Sequence, residues 1–376
     1  MNHTPRSASG ASPQGAPPAA RQSRFRGVRL IPLPALQWLR ATLFADLPSA
    51  LVSTALLLLL GWAGWSLLRW GVLDAVTQPD PEACRSAAGA CWGVVSEKAR
   101  LVLLGRFPQG EQWRPVLGSA ALLIGVCGAA HPRLFGRVGV ALLAGALLLF
   151  GVLMAGGVAG LAPVGSDLWG GLPLTLLLAV TGCLLGVPLG IALALGRRST
   201  LPLLRWLCGA YIEAVRGVPL ITLLFFGAFV LPLLLPPAWR LDPMLRIAAC
   251  LTLFGAAYLA EIFRGGLQAV ARGQLEAAHA LGLTRWQRLR HIVLPQALRV
   301  TIAPTASHFI GAVKDTSLVA IVNVYDLTGT LRLAMGDPQW QPFFVEMYTM
   351  VGAVYLLIGV SIAQYGRWLG RRHAVR

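Results

Sequence analysis

Lysine is almost missing from this chain. Only Lys98 and Lys314 occur among its 376 residues, and neither follows the glycine-rich turn from which a phosphate-binding loop presents its Lys. ATP hydrolysis by the chain itself is thereby excluded. Histidine is scarce as well. The six present show no His-Glu-x-x-His spacing, and no apolar run gathers carboxylates and imidazoles into a metal or acid–base centre. The chain therefore reads as non-catalytic, with no metal site. Charge is thin: Asp, Glu, Lys and Arg make up 12% of residues against 56% hydrophobic, and the mean hydropathy is +0.66. Soluble domains do not have this balance. An apolar h-region of the secretory type is also lacking at the N-terminus, where residues 1–48 are rich in Pro, Ala, Ser, Gly and Arg. They are expected to form a disordered cytoplasmic tail.

What is present is a series of long apolar runs, near 50–68, 115–130, 138–160, 169–195, 211–235, 246–263, 301–322 and 347–366. A helix crosses a bilayer with about 20 mostly apolar residues, so the fold class is an all-α integral membrane protein with about eight transmembrane helices. The second run is short, and the seventh carries Lys314 and Asp315, so each is also readable as a re-entrant or buried segment. The net charge of +17 would suggest nucleic acid in a soluble protein. Here the arginines cluster between the runs as orientation signals, which points to lipid and to no nucleic acid. An even number of spans with both termini in the cytoplasm places most of the 32 basic residues inside. The exceptions fall mainly in the long loop at 69–113, which becomes periplasmic.

Cys84 and Cys91 sit in that loop, where they either form a disulfide in an oxidising compartment or remain two thiols. Cys127, Cys183, Cys208 and Cys250 fall in apolar runs and read as small buried side chains. Gly182, Gly186 and Gly190 recur every fourth residue on one helical face, which invites close backbone approach. Pro188 in the same run is expected to kink the helix.

The most informative stretch is predicted to be cytoplasmic: Glu276-Ala277-Ala278-His279-Ala280-Leu281-Gly282, continuing through Trp286 and Arg290 to Ile292-Val293-Leu294-Pro295. It reads as two short helices with a bend at Gly282. The first is Ala-rich enough to sit deep in a groove on another protein, with Leu275, Ala278 and Leu281 on one face. Leu294 is expected to be extended ahead of Pro295, which would stop the second helix.

Glu-Ala-Ala, three residues, Gly, nine residues, Ile, one residue, Leu-Pro is the spacing of the EAA loop of ABC importer permeases, and this sequence resembles it at every fixed position. The likeness continues through Gly171-Leu172-Pro173-Leu174-Thr175, Glu213 with Arg216-Gly217-Val218-Pro219-Leu220, Glu261 with Arg264-Gly265-Gly266, and Lys314-Asp315-Thr316-Ser317-Leu318. In this order the segments are similar to the polar amino-acid permease family, and Trp38-Leu39-Arg40 with Leu43-Phe44 looks like the longer permeases of general L-amino-acid importers. The resemblance implies a five-helix permease core over 166–370, with the EAA loop at about 265–299 and three additional helices over 49–165. It implies that Glu276, Ala277, Ala278, Gly282, Ile292, Leu294 and Pro295 form the contact with a separate ATPase, itself a dimer that carries ATP and Mg. This chain would bind no cofactor. The further partners are a second homologous permease or a second copy, and a periplasmic amino-acid-binding protein. The location is the bacterial inner membrane.

An ionisable side chain at mid-membrane costs roughly 2.5–3.5 kcal/mol and faces a cavity or a partner. Lys314, Asp315, Thr316 and Ser317 are therefore candidates for the translocation path or for a polar clamp between helices. Glu213, Arg216, Glu261 and Arg264 lie at cytoplasmic ends of runs and read as ion pairs or a gate. The periplasmic carboxylates Asp326 and Asp337 are candidates for contact with the binding protein. An ion-coupled secondary transporter is the alternative, but it would have no use for an EAA loop, and no inverted repeat is seen.

Overall fold

The computed structural model describes residues 43–236 and 241–373, so positions 1–42 of the expected tail lie outside the described residues. Lipid offers a backbone amide no hydrogen-bond partner, so a crossing segment must close its own hydrogen bonds, as a helix does. Among the described residues there are helices and two isolated backbone bridges, with no strand. The first helix, α1 (Leu47–Leu68), carries no charged residue and belongs to a compact unit that ends at Leu68.

The second unit begins at Arg69. Short helices α2 (Pro81–Ser86) and α3 (Gly93–Leu104) lead to α4 (Trp113–Ala130), α5 (Arg137–Ala155) and α6 (Gly171–Gly196). Then come α7 (Pro202–Gly217), α8 (Leu220–Phe225), α9 (Leu231–Leu234) and α10 (Pro243–Gln268). The remainder is α11 (Arg272–Ala280), α12 (Arg285–Arg288), α13 (Leu294–Val300), α14 (Ile302–Asp315), α15 (Leu327–Ala334) and α16 (Phe344–His373).

Among the described residues, six helical runs are long and apolar enough to cross a membrane: Leu47–Leu73, Gln109–Ala130, Arg137–Ala155, Gly171–Gly196, Pro243–Gln268 and Gln341–Arg372. The two other expected runs are helical but built differently. The run at 211–235 is not one straight span, because α7 and the Leu220–Leu234 segment meet at 104°. Val218 precedes Pro219, whose ring disfavours helical backbone at the residue before it, and Val218 is extended at φ −105°, ψ 135°. The run at 301–322 divides into α14 and a tight 3₁₀ segment, Thr316–Val322, which ends on left-handed Asn323 at φ 62°. It is the second passage that is not a single long α-helix.

The central seam is the packing of α6 on α10. A Cβ built on Gly190 would lie 2.7 Å from Leu259 Cβ and 3.1 Å from Ala260 N, and one on Gly186 would meet Leu259 at 3.3 Å. Gly182 faces open space instead, so two of the three expected glycines make the close approach. α6 runs unbroken through Pro188.

The loop at 69–113 is folded onto the core. Cys84 and Cys91 are joined, with Cα atoms 5.3 Å apart, and both are buried among Trp340, Phe343 and Met347. The buried carboxylate of Glu346, in the first turn of α16, accepts the Cys91 N–H at 2.8 Å. Lys98 pairs with Asp337 at 2.8 Å and holds that carboxyl below the usual carboxylate range. These ties explain why 69–165, expected with the added N-terminal helices, packs in one unit with the core.

Arg114, fully buried in α4, donates to Leu153 O at 2.5 Å and Ala162 O at 2.8 Å. Its charge thereby satisfies carbonyls at the negative C-terminal end of α5. Of the cysteines expected inside, Cys208 and Cys250 are buried, Cys183 is partly covered and Cys127 is exposed. A position within an apolar run does not decide which way a side chain faces when lipid is the surroundings.

Gly190→Leu is expected to force α6 from α10 and to cost about 1–3 kcal/mol of overpacking, whereas Gly182→Leu leaves the thermal unfolding of the detergent-solubilised chain unchanged. Equal shifts for the two variants would contradict the seam.

Candidate functional site

The segment after α10 folds as two helices around one glycine. α11 ends in a paired turn: Gly282 N–H donates to His279 O at 2.9 Å and Leu283 N–H to Ala278 O at 3.2 Å. Such a turn requires left-handed backbone at its pivot, and Gly282 has φ +71°. The next helix is started by reciprocal capping, with Thr284 N–H donating to Gln287 Oε1 at 2.9 Å and Gln287 N–H to Thr284 Oγ1 at 3.3 Å.

Leu294 is not extended, and Pro295 does not end the helix. A π turn, Leu289–Val293, sends the Leu294 N–H back to Leu289 O. This widened turn brings the chain through helically to Pro295, near the start of α13, where a missing N–H is tolerated. The face expected of Leu275, Ala278 and Leu281 also divides. Ala278 is buried and Leu275 half-buried, but Leu281 is 77% exposed, because it has already left α11 as the C-cap.

The seven EAA-loop positions separate by environment. Ala278 is buried, and Ile292 and Leu294 are half-buried, so these three hold the loop to the bundle. Glu276, Ala277, Gly282 and Pro295 are exposed. Leu281 and the 64% exposed Trp286 are open as well, so the exposed part of the loop after α10 carries apolar side chains beside the Glu276 carboxylate and the exposed Arg272 and Arg285.

Close by is a cluster of charges. Glu261 on α10 hydrogen-bonds Arg264, with Arg216 at 3.7 Å and Arg197 at 3.9 Å. Arg197 also binds Glu213 at 2.6 Å, and the Arg216 guanidinium lies over an aromatic face, 5.5 Å from the Tyr258 ring centre. Glu213, Arg216, Glu261 and Arg264 thus come together, and Arg197 joins them as the residue that sequence reasoning missed. It stood out only as one of several orientation arginines, and its partners lie 16 and 64 positions away.

Lys314, Asp315, Thr316 and Ser317 do not share a surface. Lys314 is exposed, Asp315 and Ser317 are partly covered, and Thr316 is buried. The Thr316 hydroxyl donates to Val313 O at 2.9 Å and lies 3.4 Å from the carboxylate of Asp326. Asp326 is not available to a binding protein: it is fully buried and accepts from Gly329 N–H and Tyr355 O–H, each at 2.8 Å. Asp337 is occupied by Lys98.

At the other end of α10 a cleft of about 350 Å³ is lined by Ser166, Trp169, Met244, Arg246, Asn323 and Tyr325. Its arginine is already engaged by Gly227 O and Ala228 O at 3.0 and 2.6 Å. Cleft and exposed loop are separated by the 26 residues of α10, about 39 Å of helix. No group of metal ligands occurs among the described residues.

Residues 186–375 match the family described as binding-protein-dependent transport system inner membrane component. The inner membrane amino-acid ABC transporter permease protein YhdY of Escherichia coli K12 is 36% identical, with 90% of this chain and 93% of that protein covered. The glutamate/glutamine/aspartate/asparagine transport system permease protein BztC of Rhodobacter capsulatus is 33% identical, over 90% of this chain and 93% of its own length. A shorter relative, the glutamate/aspartate import permease protein GltK of Escherichia coli O6:H1, is 34% identical over 54% of this chain and 92% of its own.

Glu261→Gln would leave Arg197, Arg216 and Arg264 around a neutral amide and is expected to cost about 1–3 kcal/mol. Glu213→Gln, at a 68% exposed side chain, is expected to cost under about 1 kcal/mol. Thermal unfolding of the two variants in the same detergent checks the order, and the reverse order would contradict the role given to Glu261.

Proposed function

This chain belongs to the binding-protein-dependent transport system inner membrane component family, and from that premise we propose how its parts serve transport. It is a multi-pass inner-membrane permease subunit of an amino-acid ABC importer, not an ion-coupled carrier. The family implies an ATPase partner, and the chain's own role is that of a non-catalytic membrane subunit.

The reading beyond this rests on one observation: the exposed helix α11, turned by a left-handed glycine at the end of the longest-packed helix of the core. In this reading Glu276, Ala277, Leu281 and Trp286 dock on a dimeric cytoplasmic ATPase that carries ATP and Mg. Ala278, Ile292 and Leu294 transmit its motion into the bundle. Both termini are cytoplasmic, and the loop at 69–113 is periplasmic, the side on which a disulfide persists. A periplasmic binding protein delivers the amino acid to a pair of permeases, this chain with a homologous partner or a second copy. ATP-driven closure of the ATPase pushes α11, and rigid movement of α10 and its neighbours exchanges outward-facing and inward-facing states. The five charges of the Glu261 cluster hold the cytoplasmic ends of α6, α7 and α10 together in one of those states. Lys314, Asp315 and Ser317 border the path at the end of α14, and Thr316 positions that segment through Asp326.

The substrate class follows the relatives, whose names give amino acids throughout.

Gly282→Leu has room for its side chain, but left-handed backbone costs a non-glycine residue about 1–2 kcal/mol. The variant is expected to insert normally and to lose most amino-acid uptake in reconstituted vesicles, while ATP hydrolysis by the complex persists. Undiminished uptake would remove the coupling role from this loop.

A further inference from the structure

Helix α7 has three stripes, and only two have a partner. Cys208 and Ile212 are buried: Cys208 packs on the end of α6, where its Sγ lies 2.5 Å from a Cβ built on Gly196. Tyr211 donates to Leu253 O of α10 at 2.8 Å. The polar stripe carries Arg205 and Arg216, eleven residues apart on one face, and Arg216 belongs to the charge cluster with Glu213, which lies at the edge of the third stripe. The third stripe, Leu203, Trp206, Leu207, Ala210 and Ala214 at helical spacing, is exposed throughout, with Leu203 at 69%, Trp206 at 67% and Leu207 at 50%.

Direction settles what such a stripe can meet. α7 stands at 104° to the apolar Leu220–Leu234 segment, so where that segment runs through the bilayer α7 runs along the membrane plane, beside the end of α6 on which Cys208 packs. Amphipathic helices in this position put their apolar side about 5–10 Å into the headgroup and acyl boundary, with Trp and Arg at the edge. The charge matches as well. Arg198 and Arg205 are both exposed and in no ion pair among the described residues, while Glu213, the acidic residue of α7, is taken by Arg197.

We propose that α7 is an in-plane anchor whose Leu203–Trp206–Leu207 stripe enters the lipid and whose Arg198 and Arg205 bind the phosphates of anionic lipid headgroups. Assignment to the cytoplasmic leaflet rests on the functional reading above, whereas the lipid contact does not. The anchor fixes the elbow at Gly217–Pro219, and with it the depth of Arg216 and Glu213, so the charge cluster is held at the membrane surface.

The test uses the assembled transporter in nanodiscs of mixed zwitterionic and anionic phospholipid, with the photocrosslinker benzoylphenylalanine at Leu203 or Leu207 and, as a control on the polar stripe, at Arg216. Intact-mass and peptide analysis after irradiation identifies the adducts. The expected result is phospholipid adducts at both apolar positions and few at Arg216. Anionic lipid should be enriched over its bulk share by about fivefold for each arginine, the ratio for about 1 kcal/mol per basic residue at a charged surface, and Arg198→Gln with Arg205→Gln should return it to the bulk share. Crosslinks to another subunit, or the absence of any lipid adduct, would overturn the proposal. Enrichment that persists in the double variant would remove the arginines from it. Each of these outcomes leaves the importer reading intact, because none depends on transport.

Discussion

The close approach of α6 and α10 at Gly190 is the constraint from which the working parts take their places. A helix pair can come this near only where one partner has no side chain, and here Leu259 and Ala260 fill the space that Gly190 leaves. Two turns further along α6 comes Arg197, and immediately after Ala260 on α10 comes Glu261. The seam therefore sets the register in which a basic end of one helix meets an acid on the other, at 3.9 Å. From there α10 continues to Gln268 and hands the chain to α11, so in the proposed coupling a push on α11 would reach the charge cluster through a helix already held tightly by its neighbour.

Prolines are managed by one device used twice. Leu231-Pro232 and Leu294-Pro295 each follow a π turn, Phe226–Val230 and Leu289–Val293. The Leu231 N–H reaches back to Phe226 O as the Leu294 N–H does to Leu289 O. A wider turn relieves the contact between a proline ring and the preceding carbonyls while keeping the backbone bonded, which matters where lipid cannot supply a substitute. Pro219 has the opposite effect because Val218 before it is extended, and the result is the elbow between α7 and α8. The same residue type thus continues a helix at one place and turns it at another, according to the backbone ahead of it.

Apolar length and arginine placement made the membrane class legible, and the spacing from Glu276 to Pro295 made the family legible, since both are patterns along the chain. What the pattern could not carry was direction. An apolar run at 211–235 looks the same whether it crosses straight or bends at Pro219, and Leu281 belongs to the face of Ala278 only if the helix continues through it. Tertiary partners were equally out of reach. Arg197 was visible as a charge and not as the link between Glu213 and Glu261, and Asp326 looked like a surface carboxylate although Thr316, Gly329 and Tyr355 enclose it. The loop carrying Cys84 and Cys91 gave no sign that Glu346, more than 250 positions away, would hold it to the core.

We propose that an ATPase takes hold of this permease at the exposed loop after α10. Co-purification from mildly solubilised membranes tests it most directly, comparing the native chain with a Glu276→Lys, Gly282→Leu double variant and identifying what each brings down. An ATPase subunit is expected to accompany the native chain and to be lost from the variant, while a second permease copy or homologue stays with both. An ATPase retained in full by the double variant would contradict it.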